Sequence, residues 1–370
     1  MGFYEICSGY KKLEWEDFFG AFSGRDCSSA IDSSDSNADR LAALLSPFSE
    51  DHLEDMAQKA QDVTARQFGH TIQLYTPMYL ANHCDNECRY CGFNAKNRIE
   101  RKRLTIKEVE GEAAHIAGTG LKHILILTGE SRIESPVSYM RDCVRILKKH
   151  FESISIEVYP LTEAEYAELV DEGVDGLTIY QEVYDEGVYK KMHIKGPKQD
   201  YRFRLDAPER GARSGMRSIN IGVLLGLDDW RREAFMMGIH AAYLQDRYPQ
   251  IEVGVSLPRL RPEVSGFTAP YTISDKNFVK IITALRIFSP RLGISLSTRE
   301  APEFRERLIG LGITRMSAGS TTCVGGHTLG EDSGGRSAQF EILDKRSVEE
   351  TKRMIRGKGC QPVFKDWMHI

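Results

Sequence analysis

No apolar run in this 370-residue chain approaches the ~20 residues needed to cross a bilayer; stretches such as His123–Leu127 and Ile251–Leu257 fall far short. The opening, Met1-Gly2-Phe3-Tyr4-Glu5-Ile6-Cys7, has no basic and apolar signal segment and no Ser/Thr at position 6 for myristoylation. A soluble, cytoplasmic protein is expected. Neither sign of charge dominates: 49 Lys and Arg against 53 Asp and Glu leave a net charge of −4, without the basic excess of a nucleic-acid or anionic-membrane binder. Fixed-period repeats and low-complexity tracts are missing, and 41% hydrophobic residues supply a core, which excludes disordered and collagen-like chains. A disulfide framework is missing as well. Of eight cysteines, Cys7, Cys27, Cys143, Cys323 and Cys360 stand alone, while Cys84, Cys88 and Cys91 crowd into eight residues. In a long chain without a secretion signal, such a cluster reads as metal-binding or catalytic.

What is present is an alternation of two periods. Residues 1–68 read as a helical N-terminal layer (Trp15–Phe22, Ala38–Leu45, Leu53–Phe68), with Ser/Asp-rich loops between them, notably Asp26–Asp39. Residues 69–320 alternate β-like runs with amphipathic helices. The expected strands are Ile72–Leu80, His123–Thr128, Ser155–Tyr159, Gly176–Tyr180, Ser218–Val223, Ile251–Leu257, Gly293–Thr298 and Ile313–Met316. Eight strands joined by helices over this length predict an α/β fold, a (β/α)8 TIM-type barrel with parallel strands. Residues 321–370 read as a tail: a Gly-rich stretch (Val324-Gly325-Gly326, Ser333-Gly334-Gly335), a helix at Ser347–Gly357 opened by a Ser347/Glu350 capping box, and a Lys365-Asp366-Trp367 end packed on the barrel.

Successive strand side chains point to opposite faces, so each strand divides by parity. Ile219, Ile221 and Val223 oppose Ser218, Asn220 and Gly222; Val253 and Val255 oppose Glu252, Gly254 and Ser256; Ile294 and Leu296 oppose Ser295, Ser297 and Arg299. Ile154, Ile156 and Val158 likewise oppose Ser155, Glu157 and Tyr159. The apolar set must meet the helices, which leaves the polar set in the lumen. Ordinary barrels fill that lumen with branched apolar side chains. A polar lumen predicts an internal site for a polar ligand.

Cys84-Asp-Asn-Glu-Cys88-Arg-Tyr-Cys91 follows the first strand, at the C-terminal mouth where barrel active sites lie. Three close thiolates suit either Zn²⁺ or an iron–sulfur cluster. Zinc would require a fourth ligand such as His83 or a distant His, and the second CxxC or His pair of a closed zinc site is missing. An iron–sulfur cubane held by three cysteines keeps one iron open. Glu130 closes the second strand and Glu182 follows the fourth, as a lumen acid or a helix cap. Glu157 and Arg299 sit on lumen parity, Arg299 either free or paired with Glu300. Arg259 and Arg261 are expected to line the mouth electrostatically. The run Lys96, Arg98, Arg101, Lys102, Arg103 reads as a solvated loop rather than a nucleic-acid patch.

The cysteine spacing, with an aromatic residue before the last Cys, resembles the signature of the radical S-adenosylmethionine (SAM) enzymes. The wider text resembles their aromatic amino-acid lyase branch, in particular the tyrosine lyases of thiazole and thiamine biosynthesis. That text comprises Pro77-Met-Tyr-Leu-Ala-Asn-His-Cys84, Tyr90-Cys-Gly-Phe-Asn94, Asn97-Arg-Ile-Glu-Arg-Lys102, Thr128-Gly-Glu130, Tyr180-Gln-Glu182, Pro258-Arg-Leu-Arg-Pro262, Ser297-Thr-Arg-Glu300, Met316-Ser-Ala-Gly-Ser320 and Lys365-Asp-Trp367. The resemblance implies that Cys84, Cys88 and Cys91 hold a [4Fe–4S] cluster whose open iron chelates SAM, and that Tyr90 lies beside the adenine. It implies Glu130 at the methionine ammonium, Glu157 at the ribose and Glu182 in the same region. Arg299 would grip the substrate carboxylate, with Ser317 and Ser320 at the amino-acid head group.

The implied reaction is Cα–Cβ cleavage of L-tyrosine to 2-iminoacetate (dehydroglycine) and 4-methylphenol (p-cresol), with 5′-deoxyadenosine and methionine. The implied partners are a thiazole synthase and a flavodoxin or ferredoxin reductant, with no nucleic acid or membrane. Cysteines for a second cluster, as in the hydrogenase-maturation lyase, are not seen. Tyr90 stands where the tryptophan lyase has Met. A lyase acting on another aromatic amino acid remains open. So does a zinc-stabilised, non-catalytic assembly partner.

Overall fold

The computed structural model describes residues 2–328 and 338–365. Eight strands form the expected barrel: β1 (Thr71–Ala81), β2 (His123–Thr128), β3 (Ser153–Glu157), β4 (Gly176–Glu182), β5 (Ser218–Val223), β6 (Glu252–Ser256), β7 (Gly293–Leu296) and β8 (Arg315–Ser317). Each pairs in parallel with the next, and β1 pairs with both β2 and β8, so the sheet closes. The register is set by small residues on the lumen side. At Gly176, a Cβ would lie 2.3 Å from Ser155 Oγ and 2.7 Å from Ser218 Oγ, closer than any side chain tolerates.

Before the barrel come α1 (Phe3–Tyr10), α2 (Trp15–Gly20), α3 (Gly24–Asp32), α4 (Ala38–Leu45) and α5 (Leu53–Phe68). The crossovers carry α6 (Ile106–Gly118), α7 (Val137–Leu147), α8 (Glu163–Glu172), then α9 (Glu186–Met192), α10 (Tyr201–Leu205) and α11 (Ala207–Arg213) together between β4 and β5. After these come α12 (Trp230–Arg247), α13 (Asp275–Phe288) and α14 (Pro302–Leu308). The starts of α6 and α8 are fixed by capping boxes, Thr105 with Glu108 and Thr162 with Glu165. In the tail, α15 (Val348–Gly357) begins at the expected Ser347/Glu350 box, and β9 (Gln361–Val363) pairs with the start of β1. Among the described residues, no helix is long and apolar enough to cross a membrane.

The N-terminal layer corrects one expectation. Asp26–Asp39 is not a loop throughout, because Gly24–Asp32 is helical. Ser23 and Asp26 form a reciprocal capping box there, and Cys27, Ala30 and Ile31 are buried at helical spacing. The Ser/Asp composition that suggested a loop marks a capped helix instead. The layer seats on α12 and α13 through α4, whose Leu41, Leu44 and Leu45 are fully buried, each stabilising by about 1.5–3 kcal/mol. Trp15, Phe18 and Phe19 surround Phe235, and Phe3 stacks on the His240 ring with centroids 3.8 Å apart.

The tail is fastened by charge. Arg305 of α14 donates to the Asp344 carboxylate and the Ser317 carbonyl, and both partners of this ion pair are fully buried. Lys365 pairs with Glu152 at 3.1 Å. Ser333, Gly334, Gly335, Asp366 and Trp367 lie outside the described residues, so the expected docking of that tryptophan does too. We propose the division 1–68, 69–320 and 321–370 as working units, with β9 tying the last to the barrel.

Candidate active site

The lumen faces follow the parity argument. Ile219, Ile221, Val253, Val255, Ile294 and Leu296 are buried in the hydrophobic core, while Ser155, Glu157, Asn220, Ser256, Ser295 and Ser297 line internal cavities. The exception is β2, whose lumen positions include Leu125 and Leu127.

Cys84, Cys88 and Cys91 line one cavity at the barrel mouth, together with Glu130, Glu157, Glu182, Lys198 and Arg204. The loop that carries them is shaped by its neighbours. Arg101 donates to the carbonyls of Asn82, Phe93, Asn94 and Asn97 at 2.7, 2.9, 2.6 and 3.3 Å. One member of the basic run is therefore a structural clamp. Residues 192–195 run alongside the loop, with Arg89 N on Met192 O and Glu87 N on Lys195 O. Two glycines permit close approach: a Cβ on Gly129 would sit 2.2 Å from His83 O, and one on Gly92 would sit 2.5 Å from Gln339 O.

The donor set fits an iron–sulfur cluster. The three thiols share one cavity, and thiolates are the ligands that iron–sulfur clusters take. Burial pushes the Cys88 thiol far up and Cys91 to about 11, with the neighbouring Cys84 adding to the latter. Cationic iron would supply the charge that releases those protons. Asn86 Nδ2 reaches Cys84 Sγ and Gln339 Nε2 reaches Cys91 Sγ, each at 3.8 Å, so amide donors already face two of the sulfurs.

Glu130 accepts from Asn86 Nδ2 at 2.6 Å and faces this cavity. Glu182 is not a helix cap, since Asp185 caps α9. It sits at an irregularity of β4 with φ +71°, a conformation that costs a non-glycine residue energy. Burial alone would raise its carboxyl, but Lys198 at 2.7 Å and Arg204 at 3.5 Å outweigh that and hold it below the usual range. Glu157 has no such clamp. Burial and then the charge of Glu182 push it up to about 7, against the opposing pull of Arg299. Tyr90 is placed differently from the other candidates: it is not among the residues lining the cavity. Its hydroxyl meets His193 Nε2 at 2.7 Å, and Lys198 Nζ lies 5.6 Å from its ring centre.

A second cavity continues inward. Glu157, Tyr79, Leu127 and Gln339 line both spaces, so the cysteine cavity opens directly onto Arg299, Ser317 and Ser320. Arg299 lies over Phe340, its guanidinium carbon 3.3 Å from the ring centre. It is not paired with Glu300, which is taken by Arg259 (Nε to Oε2 2.9 Å) and Arg261 (3.2 Å). Those two arginines are thereby a structural clamp rather than free lining. Ser317 Oγ accepts from Thr298 N at 3.1 Å, and Ser320 Oγ is buried without a partner among the described residues. Sequence reading missed Asn86, Lys198, Arg204, Gln339 and Phe340. Asn86 lies inside the cysteine motif and was legible there. The others arrive from the β4–β5 crossover and the tail, and no local pattern announces them.

A closed parallel barrel with three cysteines on the loop after its first strand, opening onto a polar lumen, defines the radical SAM class. Residues 78–237 match the model of the Radical SAM superfamily, and residues 256–361 match the Biotin and Thiamin Synthesis associated domain. The chain is 40% identical to 2-iminoacetate synthase of Escherichia coli K12 over 97% of its own length and 95% of that protein. It is 39% identical to the Salmonella typhimurium enzyme over the same shares. The crystal structure of HydG, a maturase of the [FeFe]-hydrogenase, superposes with a TM-score of 0.86 at 31% identity, covering 98% of this chain and 80% of that one. Methylornithine synthase, at 22% identity and a TM-score of 0.70 over 91% of this chain and 97% of that one, shares the fold. The chain belongs to the 2-iminoacetate synthase family.

Proposed function

We propose that this protein cleaves the Cα–Cβ bond of L-tyrosine, giving 2-iminoacetate and 4-methylphenol, with 5′-deoxyadenosine and methionine as coproducts, for thiazole formation in thiamine biosynthesis. The observation that carries this reading is the continuity of the two cavities: a cysteine-lined space shares a wall of Glu157, Tyr79, Leu127 and Gln339 with a space headed by an arginine free of Glu300. When bound, the cluster and SAM supply a 5′-deoxyadenosyl radical that abstracts hydrogen from the substrate.

The residues of the chain do the rest. Cys84, Cys88 and Cys91 would hold the [4Fe–4S] cluster. Glu130, already a hydrogen-bond acceptor at the strand end, would take the methionine ammonium in a charge-assisted bond. Glu157 would hold the ribose, with Glu182 behind it and Tyr90 toward the adenine. Arg299 would receive the substrate carboxylate, for which a planar guanidinium seated over Phe340 is suited. Ser320, whose hydroxyl is buried without a partner among the described residues, and Ser317 would meet the amino-acid head group. Leu125, Leu127 and the three tyrosines Tyr75, Tyr79 and Tyr180 would exclude water from the reacting carbon.

We further propose a complex with a thiazole synthase that takes over the imine, reduction by a flavodoxin or ferredoxin, and a cytoplasmic setting. The test is anaerobic: reconstitute the cluster, add SAM, tyrosine and dithionite, and measure 5′-deoxyadenosine together with 4-methylphenol. The two rising in step supports the lyase. Deoxyadenosine without 4-methylphenol refutes tyrosine as substrate, and neither product from protein holding a full cluster refutes the catalytic reading.

A further inference from the structure

Below the Arg299 cavity lies a second, deeper chamber in the lumen, and the two share the wall formed by Tyr75, Leu125, Tyr180, Ser256 and Ser295. At this partition the barrel holds a buried hydrogen-bonded pair, Asn220 Nδ2 donating to Ser256 Oγ at 2.9 Å. Ser256 Oγ also interacts with the Tyr180 hydroxyl. Either hydroxyl of the Tyr180–Ser256 pair can be the donor; with Tyr180 donating, both lone pairs of Ser256 are occupied and its proton is left for a ligand. Asn220 Oδ1 is the complementary half: a buried acceptor with no hydrogen-bond partner among the described residues. A buried polar atom left in this state costs about 1–3 kcal/mol unless something meets it.

The pair is also built into its position. A Cβ on Gly254 would stand 2.9 Å from Asn220 Oδ1, and one on Gly222 would stand 2.6 Å from the Tyr180 ring. Two lumen glycines therefore clear the space that Asn220 and Tyr180 occupy. The strand register sets the depth. Ser256 is level with Ser295, which is level with Arg315, two residues below Ser317. Two strand residues span ~7 Å, about the distance a tyrosine covers from its carboxylate to its phenol oxygen.

We propose that Ser256 and Asn220 form the phenol-recognition subsite of this enzyme, Ser256 donating to the substrate's phenol oxygen and Asn220 Oδ1 accepting its proton. The inference rests on the function proposed above, with the substrate's carboxylate at Arg299. One donor and one acceptor match a hydroxyl completely. A phenyl ring would leave both unpaired, and an indole N–H would satisfy the acceptor alone. A site built to bond a hydroxyl can reject the analogue lacking it by ~10⁴-fold.

The test uses the cluster-loaded protein with SAM and no reductant, measuring tyrosine and phenylalanine binding by calorimetry. It also measures the ratio of the two substrates' kcat/KM values when reductant is added. Because each ratio is taken on one sample, a partly misfolded fraction cancels. Asn220→Leu and Ser256→Ala are each expected to lower the tyrosine-to-phenylalanine ratio tenfold or more, and Ser256→Thr, which keeps the hydroxyl, to restore it to within threefold of wild type. A ratio within threefold of wild type in both Asn220→Leu and Ser256→Ala overturns the proposal, as does wild-type protein that binds the two amino acids equally. Wild-type protein that cleaves SAM but neither binds tyrosine nor yields 4-methylphenol fails at the proposed function itself and takes the subsite with it.

Discussion

Replacing Arg299 with lysine keeps the charge and removes the plane, which isolates what the guanidinium contributes. In the structure its carbon lies 3.3 Å from the Phe340 ring centre, and its neighbour Glu300 is held by Arg259 and Arg261. The variant therefore loses a stacked contact worth about 0.5–2 kcal/mol and one of the two charge-assisted bonds of a bidentate carboxylate grip, worth about 1.5–3 kcal/mol. Flexible side-chain rearrangement recovers part of this, so a net loss of about 2–4 kcal/mol is expected. At 1.4 kcal/mol per decade that is roughly 30- to 700-fold in tyrosine affinity. Calorimetric titration of tyrosine into the cluster- and SAM-loaded protein reads the loss directly, and kcat/KM for 4-methylphenol should fall in parallel. Among the described residues Arg299 has no ion-pair partner that the change would orphan, so the loss of folding stability should not exceed the ~0.5–2 kcal/mol of the Phe340 contact. An Arg299→Lys protein that binds tyrosine within threefold of wild type refutes the carboxylate role.

Other residues give independent checks. Glu157 titrates near 7 through burial, with Glu182 adding to the shift, so its folded value lies above the ordinary ~4.3 and ionisation costs stability as pH rises between the two. Glu157→Gln should thus stabilise the cluster-free protein more at pH 8 than at pH 5, by roughly 3 kcal/mol of difference at most; equal gains in melts at both pH values would contradict this. Asp344→Ala strands the fully buried Arg305 and should cost about 3–5 kcal/mol in denaturant unfolding at neutral pH, whereas a loss below 1 kcal/mol would show the tail is fastened some other way. Burial would raise the Asp344 carboxyl, but Arg346 and Arg305 hold it below the usual range. Its stabilisation is therefore present above ~3.9 and fades as pH falls below that. Cys88→Ala should abolish cluster loading and SAM cleavage while leaving far-UV dichroism unchanged, because the hydrophobic core is continuous without the cluster; unfolding of that variant would point to a structural metal instead.

The parts of this molecule that were legible in its sequence are those governed by local period. Short β-like runs alternating with helical stretches identified all eight barrel strands, and period 2 within β3, β5, β6 and β7 identified the polar lumen. The Ser347/Glu350 capping box located the start of α15 for the same local reason. Where composition stood in for period, the reading failed: Asp26–Asp39 looked like loop chemistry, and its first part, to Asp32, is helix. Strand β3 begins two residues before its expected start because Ser153 Oγ bonds the Asp175 carboxylate at 2.8 Å, a long-range anchor. The site divides in the same way. Its cysteines lie within eight residues, whereas Lys198 and Arg204 come from a crossover with three short helices, and Gln339 and Phe340 from a tail more than 200 residues beyond the cysteine loop. No local pattern encodes that an amide will meet a thiol or that a ring will support an arginine.

The lumen shows what the fold trades for its site. Filling it with valine and isoleucine would stabilise the barrel and close it. Instead, the apolar faces of β5, β6 and β7 bury their isoleucines, leucine and valines outward against the helices, which carries stability without the interior. Inside, polar groups satisfy one another where they can: His123 Nε2 meets Ser155 Oγ at 2.9 Å, and Asn220 meets Ser256. Among the described residues, two of the atoms left over are Ser320 Oγ on the Arg299 cavity and Asn220 Oδ1 on the deeper one. Unpaired buried atoms are expensive in an empty barrel. With tyrosine bound as proposed, the two would face opposite ends of the substrate, and binding would recover their cost.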